Sequence, residues 1–206
     1  MTITESGCMV KLNKNESLIV IACAEESNNL IEKLGVDILY TGVGKINAAY
    51  YLTKVLTERK IRGNLPKYVI NVGSCGSKKF SKGKLIACNE FIQRDMDCSC
   101  GEYKLGETPR EKDLYVIKHR KVIDDLEYGI CGTGDNFATK PCEIREVDLC
   151  EMEGYSLAKV SKLENIDFIS IKYITDGLDE KGSEDWNDNI LDCATSFYNY
   201  LSGILQ

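Results

Sequence analysis

Ser17-Leu-Ile-Val-Ile-Ala22, Asp37-Ile-Leu-Tyr40 and Tyr68-Val-Ile-Asn-Val72 are short apolar runs rich in β-branched residues, and what lies between them decides the fold. Runs of this length and composition read as buried strands. Between the first two, Glu25 to Leu34 carries Leu30, Ile31 and Leu34 at helical spacing, with Gly35 placed to end a helix. Between the second and third, the turn Gly42-Val-Gly44 leads into Lys45 to Lys60, a predicted helix with Ala48, Tyr51, Leu52 and Val55 on one side. Strand, helix, strand, turn, helix, strand is an α/β alternation. It predicts a central, mostly parallel or mixed twisted sheet flanked by helices.

Downstream, Gly83 to Gln93 reads as one or two further strands, followed by the polar Arg94-Asp-Met-Asp97 and a loop through Pro109. Glu127 to Cys131 is another strand, stopped by Gly132-Thr-Gly134-Asp135. A helix over Met152 to Glu164, a strand over Phe168 to Ile174 and a long helix over Glu184 to Leu205 complete the pattern. Trp186, Ile190, Cys193, Phe197, Tyr200, Leu201 and Ile204 fall in apolar register on the last helix. No internal repeat, low-complexity segment or linker divides the chain. One domain over 1–206 is expected, with 1–15 as a flexible or peripheral N-terminal segment.

The chain has 206 residues, 43% of them hydrophobic, enough for one substantial core. A net charge of -6 and a pI near 5.0 argue against a nucleic-acid partner, because phosphate neutralisation needs a basic surface. No apolar run approaches the roughly 18 to 20 residues of a membrane span, and Met1-Thr-Ile-Thr-Glu-Ser lacks the basic start of a secretion signal. The ten cysteines lack the compact spacing of a disulfide scaffold, and several sit inside apolar runs. A reducing cytoplasm is the expected compartment. No metal site is expected: Cys98-x-Cys100 stands alone, and His119 is the only histidine, in the charged stretch Lys118-His-Arg-Lys121 that reads as solvated. A single histidine also disfavours Ser-His-Asp or Cys-His chemistry.

Two carboxylates sit where acids are costly. On the helix predicted from Met152, Glu153 shares a face with Leu157 and Val160, and Asp176 ends a buried strand, where open α/β sheets place their ligands. Read alone, Glu153 is equally a first-turn acid favoured by the helix dipole, and Asp176 a turn cap before Gly177. Gly42-Val-Gly44-Lys45 and Gly73-Ser74-Cys75-Gly76 follow strands and allow close backbone approach to a ligand, or simply a tight reversal. Phe137, after Gly132-Thr-Gly134-Asp135, is a stacking face or a core aromatic.

In their collinear order, Ile19-Val-Ile-Ala-Cys-Ala-Glu-Glu26, Gly42-Val-Gly-Lys-Ile-Asn-Ala-Ala49, Asn71-Val-Gly-Ser-Cys-Gly76, Arg94-Asp-Met-Asp97, Thr133-Gly-Asp-Asn-Phe137, Glu151-Met-Glu153 and Ile174-Thr-Asp176 resemble the purine nucleoside phosphorylase and nucleosidase superfamily. The resemblance is strongest to its methylthioadenosine/S-adenosylhomocysteine nucleosidase branch. It implies a cofactor-free enzyme that cleaves the N-ribosidic bond of a purine nucleoside, and a homodimer. By this resemblance Asp176 protonates the leaving base and Glu26 activates water. Glu153 holds the ribose hydroxyls, Ser74 lies near the water and the ribose, and Met152 lies beside the sugar. Phe137 stacks on the base and the Ala138 backbone reads its edge.

The resemblance leaves the nucleophile and the 5' group open. Phosphorylases of the superfamily hold phosphate with arginines, one of them directly before the Val-Gly-Ser turn; here that position is Asn71, which favours water. The nucleosidase branch has His-Asp-x-Asp and an aromatic three residues on, whereas here Arg94 opens the segment and Gly101 stands at the aromatic position. Arg94 is thus either a ligand for a 5'-phosphate, which would make the chain a nucleotide N-glycosidase, or a structural arginine paired with Asp95 or Asp97. A phosphorylase and a non-catalytic nucleoside-binding protein are the remaining alternatives.

Overall fold

A computed structural model describes residues 10–111, 114–144 and 146–206. Its elements are β1 (Ser17–Ile21), β2 (Asp37–Tyr40), α1 (Lys45–Ile61), β3 (Tyr68–Ser77), β4 (Leu85–Gln93), β5 (Val116–Lys118), β6 (Tyr128–Thr133), β7 (Leu149–Glu151), α2 (Gly154–Leu163), β8 (Asp167–Asp176) and α3 (Gly182–Ile204). The expected α/β architecture is present, with eight strands in one mixed sheet ordered β2-β1-β3-β7-β6-β4-β5 and β8 pairing with both β3 and β4. β1 runs parallel to β2 and β3, β3 to β8, and β4 to β6, while β4 and β8 are antiparallel. β7 bridges β3 and β6, so the pairings β3–β8–β4–β6–β7 close on themselves.

Alternation along the strands builds a core on each face of the sheet. Leu18, Val20, Val69 and Phe168 pack with Ala48, Leu52 and Leu56 of α1 and with Leu157 and Ala158 of α2. Ile19, Ile21, Ile70, Val72 and Ile171 pack with Cys193, Phe197, Leu201 and Ile204 of α3. Both faces belong to the same sheet, which makes one unit. Of the N-terminal segment, residues 1–9 lie outside the described residues. Leu12 is buried and exchanges backbone hydrogen bonds with Ile204 and Gln206, tying residues 10–15 to the end of the chain.

Three local expectations need correction, and two short strands carry no signal in the sequence. Glu25 to Leu34 is not an α-helix but two 3₁₀ turns, Ala24–Glu26 and Ile31–Leu34. Asn28 and Asn29 between them adopt left-handed φ values of 43° and 56°, and the Ser27 hydroxyl donates to Ala24 O, the competing local geometry that asparagine and serine favour. Gly35 does close the segment, at φ 65°. On α1 the buried side is Ala48, Leu52 and Leu56, whereas Tyr51 is exposed. β5 and β7 are three-residue strands too short for a periodic signal. His119 is not solvated: its ring is half-buried, tilted against Phe168, with Nε2 2.9 Å from Ala158 O. No helix among the described residues is long and apolar enough to cross a membrane.

Candidate active site

The C-terminal parts of β3, β7 and β8 and the segments that follow β1, β4, β6, β7 and β8 open on one cleft of about 320 Å³. Glu26, Ser74, Arg94, Phe137, Ala138, Met152, Glu153 and Asp176, the residues singled out in the sequence, all line it. Registry explains part of this convergence. Gly73 and Ser74 of β3 lie opposite Lys172 and Tyr173 of β8, and Gly76 lies opposite Asp176.

On one wall, Glu26 is buried, and its Oε1 accepts two hydrogen bonds from Ser74, from the backbone N–H and from the hydroxyl, each at 2.7 Å. Oε2 is buried and has no hydrogen-bond partner among the described residues. The Ser74 hydroxyl in turn receives the indole N–H of Trp186 at 2.8 Å. Gly73 makes room here: a Cβ on it would lie 3.3 Å from Glu26 Oε1 and 3.5 Å from Lys172 Nζ.

On the floor, Glu153 stands at the N-terminal boundary of α2 rather than on an inward helical face, and its Oε1 accepts the Gly44 N–H at 2.7 Å. The glycine turn before α1 therefore binds a carboxylate of the protein. Burial, then repulsion by Glu151, pushes the Glu153 carboxyl up to about 8. Behind it lies a polar cluster that sequence reasoning missed. Glu151 Oε2 accepts from Lys172 Nζ at 2.9 Å and from the backbone N–H groups of Glu153 and Gly154 at 3.0 and 2.7 Å. Glu151 Oε1 accepts from the Thr133 hydroxyl, which itself receives the Tyr155 N–H at 2.8 Å. Burial works against the Glu151 charge, but Lys172 and Thr133 outweigh it and hold the carboxyl below its usual range. The signal was there to find: a lysine within the apolar run 168–174 requires a buried acid.

Asp176 lines the same cleft. It is buried, with Oδ1 accepting the Leu178 N–H and Oδ2 the Thr175 hydroxyl, both at 3.0 Å. Desolvation by burial raises its carboxyl, which favours the protonated acid. Gly76 is required beside it, since a Cβ there would lie 2.3 Å from Asp176 Oδ1. Phe137 is 45% exposed, which excludes the core-aromatic reading and leaves its ring at the cleft rim. Gly182, at the start of α3, packs between Phe137 and Asp176. Arg94 pairs with neither Asp95 nor Asp97. Its Nη1 donates to Asn136 Oδ1 at 2.8 Å and its Nη2 to Asn136 O at 2.5 Å, which braces the loop carrying Phe137. Asp95 instead binds Lys45 at 2.6 Å and accepts the Asp135 N–H.

The cleft thus gathers an acid favoured in its protonated form, a buried glutamate with one bare oxygen, and the carboxyl of Glu153. Comparison with known proteins identifies the family. The model of the phosphorylase superfamily matches residues 29–206. The 5'-methylthioadenosine/S-adenosylhomocysteine nucleosidase of Geobacillus sp. (strain WCH70) is 30% identical over 186 residues, covering 81% of this chain and 78% of the relative. Among solved structures, a futalosine hydrolase mutant of Helicobacter pylori strain 26695 superposes with a TM-score of 0.78 at 19% identity, covering 91% of this chain and 96% of that one. The 5'-methylthioadenosine/S-adenosylhomocysteine nucleosidase of Colwellia psychrerythraea 34H, solved with adenine, gives 0.75 at 21% identity, covering 91% and 93%. Fold, collinear motifs and these matches together establish that the chain belongs to the phosphorylase superfamily, alongside its 5'-methylthioadenosine/S-adenosylhomocysteine nucleosidases.

Proposed function

We propose that this chain hydrolyses the N-ribosidic bond of a purine nucleoside of the methylthioadenosine/adenosylhomocysteine type. The observation that carries the reading is the pairing, in one cleft, of Asp176, whose burial favours a protonated carboxyl, with Glu26, whose Oε2 is buried and unpartnered. Breaking the ribosyl C–N bond leaves positive charge on the sugar and drives the electron pair onto the base. Asp176 donates its proton to the departing purine, which leaves as the neutral base. Water adds to the anomeric carbon, and Glu26 Oε2 takes the proton that the water sheds. Glu153 accepts hydrogen bonds from the ribose hydroxyls, with Met152 beside the sugar. Phe137 stacks on the purine while the Ala138 backbone meets its edge.

Water fits the nucleophile position better than phosphate does. Asn71 is buried in the sheet, bonded to Val20 O and Ser170 Oγ, and does not line the cleft. Lys172 is committed to Glu151, and the carboxylate of Glu26 repels a dianion. Arg94 gives one N–H from each terminal nitrogen to Asn136 and so braces the loop that carries Phe137. Base release should be assayed with methylthioadenosine, adenosylhomocysteine, adenosine, inosine and AMP, with and without phosphate. Release without phosphate is expected, and strict dependence on phosphate would overturn the hydrolase reading.

The same reading includes a homodimer in the cytoplasm. Val43 in the turn before α1 and Ile46 and Tyr50 on the helix expose 49%, 82% and 59% of their surface, an apolar strip suited to a second copy. Sedimentation velocity tests it, with Ile46→Asp expected to yield monomer. The described cysteines are free thiols, in keeping with a reducing compartment.

A further inference from the structure

We propose that Trp186 is a positioning residue for the water-activating carboxylate: its indole N–H fixes the direction of the Ser74 hydroxyl, which adds a second restraint on Oε1 of Glu26 and leaves Oε2 for water. The inference rests on the hydrolytic reading above and adds to it a residue outside the acid, base and ribose-binding set.

Hydrogen-bond arithmetic carries the argument. An indole has one N–H and no acceptor, so at 2.8 Å from Ser74 Oγ it can only donate. The serine hydroxyl has one proton, and with Trp186 on its lone pair that proton is directed to Glu26 Oε1 at 2.7 Å. The Ser74 amide donates to the same oxygen, also at 2.7 Å. Both donors of Ser74 therefore fall on Oε1, and Oε2 keeps its lone pairs. Without the indole, the hydroxyl is free to rotate toward the cleft, and one of the two restraints on the carboxylate is lost.

The part of α3 that carries the indole is tied to the sheet and the cleft. Ser74 projects from β3 on the α3 side, with Ile70 and Val72. Around Trp186 on α3, Asp185 pairs with Lys82 and Asn189 Nδ2 donates to Thr175 O at 3.3 Å. One turn earlier, Gly182 packs against Phe137 and Asp176. The first turns of α3 thus touch the stacking face, the leaving-group acid and, through Trp186, the base.

Trp186→Phe keeps an aromatic ring and deletes only the N–H. We expect kcat for base release to fall about ten-fold, the worth of one hydrogen bond in a chain ending on a charged group, with KM changed by less than about two-fold. Thermal midpoints report whether the variants fold. Because the effect runs through Ser74, Trp186→Phe in a Ser74→Ala background should cost nothing more. Equal costs in both backgrounds, a loss confined to KM, or unchanged kcat would overturn the proposal. Trp186 is the only tryptophan of the chain, so its emission reads the contact without turnover. Folded Ser74→Ala protein should show a shifted spectrum, and an unshifted one would overturn the contact. Failure of the unsubstituted chain to cleave any of the nucleosides would instead overturn the hydrolase reading, whatever the emission does.

Discussion

Glu151 and Lys172 form an ion pair at 2.9 Å with both side chains 1% exposed, and this pair holds the floor of the cleft from behind. Two buried charges are tolerated only together. Lys172→Met leaves the Glu151 carboxylate unpaired and should cost about 3 to 5 kcal/mol in urea unfolding. Lys172→Met/Glu151→Gln should recover much of that loss. The pH dependence should also change sign. In the unsubstituted protein Glu151 is held below its usual range, so its contribution is present above the unfolded value and is lost as pH falls through the folded one. With the lysine gone, burial is opposed only by the hydrogen bonds from Thr133, Glu153 and Gly154; the carboxyl should rise, and acidification should stabilise.

Asp176→Asn keeps the shape of the acid but removes its proton. Base release should drop about 10²- to 10⁴-fold in kcat, with nucleoside binding retained. Burial raises the Asp176 carboxyl, so the active, protonated form extends to higher pH than an exposed aspartic acid would allow, and activity declines as pH rises through the raised value. That alkaline limb should be absent from the residual activity of the asparagine variant. An unchanged limb would assign it to another group.

How much of this was legible beforehand depended on whether the signal was local. β1, β2, β3 and β8 begin as short apolar runs. Glu26, Phe137 and Glu153 follow strand ends, and Ser74 and Asp176 lie in the C-terminal parts of β3 and β8, where ligands gather. What escaped was non-local or broken by small residues. Lys172 makes sense only with Glu151, which is 21 positions away. Trp186 fits the apolar register of α3, and its partner Ser74 is 112 positions away. Residues 24–34 have helical spacing, yet Asn28 and Asn29 turn the backbone left-handed. β7 is hidden because its Leu149-Cys-Glu151 run is too short to show a period.

Glu153 should make stability depend on pH in the opposite sense from Glu151. Its folded value of about 8 lies above the ordinary 4.5, so the native state holds a proton that the unfolded chain releases. Its contribution is full below about 4.5 and is lost as pH rises to about 8. Glu153→Gln should remove that slope, and above pH 8 the glutamine variant should be the more stable of the two by urea midpoint. Equal slopes would show that the carboxyl titrates normally. Ribose hydroxyls donating to this group favour its charged form, so nucleoside binding near neutrality should release a proton, measurable by calorimetry in buffers of different ionisation enthalpy.

Phe137 separates binding from folding. A ring 45% exposed at the cleft rim contributes little to the core, so Phe137→Ala should change stability by no more than about 0.5 kcal/mol. Stacking of a base on an aromatic face is worth about 1 to 3 kcal/mol. Adenine affinity, measured by equilibrium titration, should therefore fall about 5- to 150-fold while the urea midpoint stays in place. Arg94→Ala tests the brace beneath the same ring: releasing Asn136 loosens the 134–138 loop, so adenine should bind more weakly even though Phe137 is intact. If Arg94→Ala left adenine affinity unchanged but abolished cleavage of AMP alone, the arginine would belong to the 5' end of the site instead of the base end.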